Sequence, residues 1–473
     1  MPEFTFQSGK FYTEKEFEQL GLEIMPMDER FNDGRRKFCE SEFVRRFNGD
    51  VYDGNLGFRH MSGDKGQWVR WTGKSWILVC ETDVRIDINN LLACARNQYK
   101  PANWKNNVYD TIKSNVVIPW NAFDDTTGVA MEDGVYRIVK KRYERSSFRK
   151  EDYCTNFLPF TLANKKSKAW KQVLRNLFDD ADDVKTLQEM FGACIFPGFH
   201  HQVIFHLHGG SGGGKTTVVS LLQMILKDHC TGVSLSSVKH DTHALAALSD
   251  SWVNIDSEAK IVEEEAEQLY KRISGGDLVT INPKYLGAYQ KVLNAKLVIL
   301  TNDLPRFHDH TQALWDRLVV IPFAKKQEGR EISDVLSELK QGLSAIVSWA
   351  FAGLYRLLSR DGARRLRFTQ SKYANELWND NKEISNPFLL WLRERVIVGE
   401  GVLNKQLAYE DYRDYLHRGG FMQTSRASFF VQMKNAFPRI EERRIRATLP
   451  STDRFRAWVG LKLLDPRNIE ETV

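Results

Sequence analysis

An α/β fold is predicted by two observations. The apolar run Val203-Ile-Phe205 leads into His206-Leu-His-Gly-Gly-Ser-Gly-Gly-Gly-Lys-Thr-Thr217 and then into the apolar stretch Val218–Leu226, the order strand, glycine-rich turn, helix. Downstream, Ser251–Glu258 and Ala295–Asn302 each read as an apolar strand ending in polar residues, and Leu318–Phe323 reads as another strand.

The glycine-rich turn carries chemistry. Gly209, Gly214, Lys215 and Thr216 fit the pattern G-x-x-x-x-G-K-[ST] in full. Glycines let backbone N–H groups turn inward around phosphate oxygens, and a helix N-terminus adds positive potential there. The candidate nucleotide-binding set is Gly209, Gly210, Ser211, Gly212, Gly213, Gly214, Lys215, Thr216 and Thr217. Lys215 is placed to reach the β- and γ-phosphates of ATP, and the Thr216 hydroxyl to sit on Mg²⁺.

Composition bounds the rest. A chain of 473 residues holds two or three domains. With 42% hydrophobic and 27% charged residues it has the make-up of a soluble globular protein. The net charge of +6 permits a nucleic-acid partner without requiring one. Six scattered cysteines form no C-x-x-C pair, which argues against a zinc site or disulfide framework and fits a reducing cytoplasm. No signal peptide and no apolar run of membrane-spanning length is read, so a cytoplasmic protein with no membrane partner is expected.

Residues 1–165 form the expected N-terminal accessory domain. Two β-prone runs meeting at Thr72-Gly-Lys74 read as a hairpin whose Trp68, Trp71 and Trp76 either stack on bases or build a small core. Residues 84–98 and 103–114 read as helices, and Gly128–Ile138 as a second hairpin turning at Asp133-Gly134. Over 166–195, helical periodicity gives two amphipathic helices, a collar, broken at Asp179–Asp183, where a solvated turn outweighs a metal site.

Residues 196–360 form the expected nucleotide domain. Residues two apart on a strand share a face, so Asp256 and Glu258 point the same way. Glu258 is the candidate for orienting the attacking water and Asp256 the metal-side acid, acting through the water shell of the ion. Asn302 is a candidate to hydrogen-bond the γ-phosphate or the attacking water, and Arg317 to stabilise transition-state charge, although taken alone it reads first as a surface salt bridge. The β-prone runs either side of Asn282-Pro283 suggest a hairpin whose Lys284 and Tyr285 suit phosphate and base contacts, or are ordinary exposed turn residues. One long helical stretch is read over Ile332–Leu358.

A polar linker, partly helical in character, is expected over 361–385. Residues 386–473 then read as three helices (Phe388–Val396, Lys405–Leu416, Ser425–Phe437) and two strands, the plan of a winged helix. Arg426, Lys434, Arg443, Arg444, Arg446, Arg454 and Arg456 put positive charge on the third helix and the hairpin, where DNA contacts would need it.

In order and spacing, Gly209–Thr216, Asn254–Glu258, Lys271–Asp277, Leu300–Pro305 and Asp316–Phe323 resemble the motifs of the superfamily-three helicases of the AAA+ class, in the phage/plasmid and poxvirus primase-helicase branch. The resemblance covers roughly residues 60–325, weakening outward through Trp71–Trp76, Glu132–Tyr136 and Thr186–Met190. It implies a P-loop AAA+ ATPase core between an N-terminal α+β accessory and collar region and a C-terminal winged-helix-like domain. It further implies an ATP-dependent replicative DNA helicase of a mobile element, working as a homo-oligomeric ring, a hexamer. ATP would lie between subunits, with Lys215, Thr216, Asp256, Glu258 and Asn302 serving it in cis and Arg317 reaching it from the neighbour. Lys284 would track single-stranded DNA in the channel, duplex would bind at a fork or origin, and a primase or polymerase would act alongside. Two departures stand out. No primase domain is read ahead of the accessory region, and Arg317 stands alone where many relatives carry two arginines, with Arg306 as the other candidate. Alternative readings are a nucleotide-gated DNA-binding initiator or regulator, and a defence-system NTPase.

Overall fold

The computed structural model describes residues 28–30, 36–38, 47–62, 65–94, 104–123, 128–140, 142–162, 166–197, 202–235, 238, 243–257, 264–283, 288–302, 312–327, 330–360, 367–421, 423–446 and 454–464. A short antiparallel pair, β1 (Asp28–Arg30) and β2 (Arg36–Phe38), comes first. β3 (Leu56–Ser62), β4 (Lys65–Trp71) and β5 (Trp76–Val79) then form a meander, with helices α1 (Glu81–Cys94) and α2 (Trp104–Asn115) leading to β6 (Val117–Pro119), parallel to β3. Trp68 and Trp76 are buried and donate their indole N–H groups to Tyr109 Oη (2.8 Å) and the Lys150 carbonyl (2.9 Å). Trp71 lies against Trp76, so this aromatic set builds a core and is not a base-stacking platform. The second predicted hairpin is β7 (Gly128–Met131) and β8 (Gly134–Val139); β9 (Arg142–Ser146), absent from the sequence reading, extends it.

The collar is α3 (Lys168–Leu177) and α4 (Ala181–Ile195). Ser167 caps the first helix at the Trp170 N–H and Asp180 caps the second at the Asp182 N–H, so the acidic run forms the expected helix–helix turn.

The central sheet is five parallel strands: β10 (Ile204–His208), β11 (Cys230–Thr231), β12 (Val253–Asp256), β15 (Lys296–Thr301) and β16 (Leu318–Pro322), in the order β11-β12-β15-β10-β16. Between them come α5 (Lys215–Leu226), α6 (Glu264–Gly275), the antiparallel hairpin β13 (Leu278–Ile281) and β14 (Tyr289–Val292), and the single turn α7 (Gln312–Trp315). The period-two alternation of the strands feeds two separate cores. Phe205, Leu207, Val253, Ile255, Val298 and Ile321 pack with α3, α4 and α5 on one face. Ile204, Leu297, Ile299 and Leu318 pack with Leu248, Tyr270, Ile273 and Trp315 on the other.

The stretch expected as one helix after β16 is two, α8 (Ile332–Lys340) and α9 (Leu343–Ser359), bent by 85° at Gln341-Gly342. The break lets α9 turn back across α4. There the backbones touch: a Cβ on Gly353 would meet the Gln188 carbonyl oxygen at 2.4 Å, and one on Gly192 the Ala350 carbonyl oxygen at 2.6 Å. A buried carboxylate closes the same seam. Glu189 accepts from Arg356 Nε (2.8 Å), Arg360 NH2 (3.0 Å), and the Thr369 N–H and hydroxyl (2.7 and 2.8 Å).

Within the expected, partly helical linker, residues 372–385 are helical throughout. They form α10 (Lys372–Ser385), which packs on β16 and donates the Trp378 indole N–H to the Trp315 carbonyl (3.1 Å). The C-terminal unit runs α11 (Pro387–Arg395), β17 (Val396–Asn404), α12 (Lys405–Arg418), α13 (Arg426–Ala436), β18 (Glu441–Arg446) and β19 (Arg454–Leu463), with sheet order β17-β19-β18. The three helices and terminal hairpin match the sequence expectation, and β17 adds a third strand. Phe388, Trp391, Tyr412, Phe429 and Trp458 fill its own core.

Gly353→Ala tests the helix seam. An alanine normally gains a helix interior about 1 kcal/mol over glycine; here the methyl meets a backbone carbonyl, and a net loss of about 1–3 kcal/mol is expected as a lower melting temperature. A second test uses pH. Lys296 is buried, its ammonium donating to the Phe196 (2.6 Å) and Pro197 (2.9 Å) carbonyls at the end of α4, and burial pushes its pKa from 10.5 down to about 7. Between pH 7 and 10.5 the unfolded chain therefore binds more protons at this site, so its penalty is full below pH 7 and lifts as pH rises. The stability of the wild type relative to Lys296→Met is expected to increase from pH 7 to pH 10 in paired denaturation curves.

Candidate functional site

Strand register assembles the site. His208 pairs with Thr301 on one side and with Pro322 on the other. Gly209, Asn302 and Phe323 therefore emerge together from the C-terminal ends of three adjacent strands. β10 lies where the strand order changes direction, the crevice at which open parallel sheets bind ligands.

The loop is moulded by its neighbours. Gly209 donates its N–H to the Thr301 carbonyl (3.3 Å), and the Phe323 N–H donates to the His208 carbonyl (2.6 Å). A Cβ on Gly209 would lie 2.2 Å from the Phe323 carbonyl oxygen, so only glycine fits. Gly214, at φ 91°, caps α5, and a Cβ there would lie 2.2 Å from Leu177 of α3. The collar therefore forms one wall of the turn. Gly210, Ser211 and Thr216 are exposed, whereas Gly213 and Thr217 are buried.

Lys215 is largely buried, which lowers its pKa. Its ammonium folds back onto the loop, donating to the Gly209 carbonyl, to the Gly210 carbonyl (3.0 Å) and to Asn302 Oδ1 (3.1 Å). Residues 215 and 302, far apart in sequence, thus meet over the strand ends. Behind them His206 Nε2 contacts Thr301 Oγ1 at 2.7 Å, and burial pushes the His206 imidazole down to about 3, so it is neutral and supports Thr301 without adding charge.

Asp256 is the last residue of β12. It pairs with Ile299, two residues short of the Thr301 row, and is buried. Its Oδ2 accepts from the Leu235 N–H (3.1 Å) and the Tyr270 hydroxyl (2.9 Å), which ties β12 to the α6 layer. The exposed Thr216 hydroxyl in the first turn of α5 suits a hard cation. Among the described residues no group of three or more His, Cys, Asp or Glu side chains is poised to hold a metal alone. Arg317 is half-buried and donates from NH1 to the Lys271 carbonyl (2.6 Å) and Ser274 Oγ (3.0 Å), at the C-terminal turn of α6 in its own chain. Glu258, Lys284, Tyr285 and Arg306 lie outside the described residues.

The basic set of the C-terminal unit divides by register. Arg444 pairs with Arg456 and Arg446 with Arg454, so these four exposed arginines share one face of the β18–β19 hairpin. Like charges directly opposite one another are destabilising, and none of the four forms an ion pair among the described residues. Arg443 points to the other face and pairs with Glu441 (2.6 Å). Arg426, 5.4 Å from the Phe430 ring, and Lys434 are exposed on α13.

The fold is thus a parallel α/β domain with a glycine-rich loop at its switch point, followed by a helical and three-stranded unit. The same overall fold occurs in two solved structures. One is "The A form apo structure of NrS-1 C terminal region-CTR" (11% identity, covering 88% of this chain and 98% of that one, TM-score 0.50). The other is "The apo structure of NrS-1 C terminal region (305-718)" (12% identity, 89% and 99% covered, TM-score 0.51). Two family models match parts of the chain: D5 N terminal like over residues 50–179, and a family of unknown function (DUF5906) over residues 207–317. The first spans the accessory sheets and α3; the second runs from β10 to Arg317.

Sequence reasoning missed the hold of Leu177 on Gly214 and of Tyr270 on Asp256, because both contacts join segments remote along the chain. Tyr270→Phe removes one of the donors to a buried carboxylate. A loss of about 1–3 kcal/mol is expected, read as a lower unfolding midpoint.

Proposed function

We propose that this chain is an ATP-dependent DNA helicase of a mobile element's replication apparatus, acting in the cytoplasm of a bacterial host as a homo-oligomeric ring. One observation carries the reading: Lys215 and Asn302 converge on a glycine-rich loop at the switch point of a parallel sheet. The partial match to the D5 N terminal like family and the motif order support it.

In this reading the loop N–H groups and the α5 N-terminus hold the triphosphate, which draws Lys215 off its carbonyls onto the phosphates. Mg²⁺, held by the Thr216 hydroxyl and phosphate oxygens, would supply charge neutralisation. Asp256 would act on the metal side through the ion's water shell, and Glu258 and Asn302 orient the attacking water. Arg317 reaches the neighbouring subunit's nucleotide on leaving the C-terminal turn of α6. That turn leads directly into the β13–β14 hairpin, so the same release couples the nucleotide to Lys284 and Tyr285 on the DNA strand. Arg444, Arg446, Arg426 and Lys434 grip duplex DNA at a fork or origin, and a primase or polymerase works alongside.

Lys215→Ala is expected to lower ATP hydrolysis about 10²–10³-fold. Lys284→Ala is expected to keep basal hydrolysis and lose strand separation on a forked duplex; normal unwinding would remove the channel assignment. ATP-dependent assembly on DNA with no strand separation by the wild type would point instead to an initiator. Replacing Arg444, Arg446, Arg454 and Arg456 with alanine is expected to weaken duplex binding and flatten the plot of log K against log salt by about 0.9 per lost phosphate contact.

A further inference from the structure

The segment after β16 is fastened to the phosphate loop along its length. At one end the Phe323 N–H donates to the His208 carbonyl (2.6 Å). At the other, the Gln327 N–H donates to the Gly212 carbonyl (2.9 Å), while its side-chain Nε2 donates to the Asn176 carbonyl (3.0 Å) at the end of α3. Two lysines lie between these ties, and they go different ways. Lys325 turns to the collar, pairing with Asp179 (2.5 Å) and donating to the Arg175 carbonyl (3.3 Å). Lys326 lies beside the loop: its Cγ is 3.9 Å from the position a Cβ on Gly212 would take. Its remaining Cδ, Cε and ammonium extend from there, and the side chain is exposed. Among the described residues Lys326 forms no ion pair, although Asp179 lies within reach of its neighbour.

We infer that Lys326 is a second phosphate-contacting cation of this loop, delivered in cis by the strand-end segment 323–327 and acting on the polyphosphate rather than on base or ribose. The inference rests on the nucleotide reading above. Its physical basis is that Lys215 provides one ammonium from inside the loop, whereas the outer side of a bound polyphosphate faces solvent. A lysine whose backbone is pinned on both sides reaches that outer side with part of its ordering cost already met by the fold. Hydrogen bonds to charged groups are among the stronger ones available to a protein.

Equilibrium titration of the full chain with ATP and with ADP tests it, using Lys326→Ala, Lys326→Arg, Lys325→Ala and Lys215→Ala alongside the wild type. Lys326→Ala is expected to lose about tenfold in affinity for both nucleotides, with a shallower salt dependence. Lys326→Arg is expected to recover most of the loss, and Lys325→Ala to change affinity little. Thermal melting should leave Lys326→Ala with the wild-type midpoint, as befits an exposed side chain. If Lys326→Ala binds both nucleotides as tightly as the wild type while Lys215→Ala does not, the role of Lys326 is refuted and the site stands. If Lys215→Ala also binds normally, or the wild type binds neither nucleotide, the nucleotide reading fails and takes this inference with it.

Discussion

Three parallel strands in register bring the site together. Because β10 sits between β15 and β16, with His208 level with both Thr301 and Pro322, the residues one step beyond each strand have to share one small volume. One of them is Gly209, which tolerates the Phe323 carbonyl against its α-carbon; another is Asn302, whose amide oxygen meets Lys215. A slip of one residue in either pairing would turn every side chain of that strand to the opposite face and dismantle both cores as well as the loop. The buried aliphatic rows on the two faces therefore set the geometry of the polar end.

The collar extends that constraint. Leu177 under Gly214 and Gln327 across Gly212 hold the turn from outside the sheet, and α4 is fixed in turn by its glycine contacts with α9 and by Glu189. The Glu189 carboxylate is fully buried, yet it accepts from two arginines and from Thr369, so its desolvation is offset by charge-assisted hydrogen bonds. The C-terminal unit has a separate core and pays a local electrostatic cost for stacking four arginines on one hairpin face.

How much was legible beforehand differs by region, for physical reasons. The loop was plain because its glycines, Lys215 and Thr216 are contiguous. The strands were plain because apolar runs bounded by polar residues have few other uses. β9 was missed because Arg142–Ser146 is mostly exposed and carries no apolar alternation. α10 reads as part of a linker because its residues are mostly polar, and its hold on the core runs through Ala374 and Trp378, which meet residues remote in sequence. The bend at Gly342 was hidden because the apolar spacing on either side continues almost unbroken.

The sequence alone determined the chemistry available at the loop, the α/β character of the core and the concentration of arginine near the C-terminus, since each depends on neighbours in the chain. The tertiary structure alone decided the employment of individual side chains. It gave Asp256 to Tyr270 and Leu235, turned Arg317 onto the last turn of α6, separated Arg443 from Arg444 and Arg446, and brought Lys326 beside Gly212. Those outcomes depend on which segments meet in space, and strand register and helix packing fix that through contacts between residues far apart in sequence.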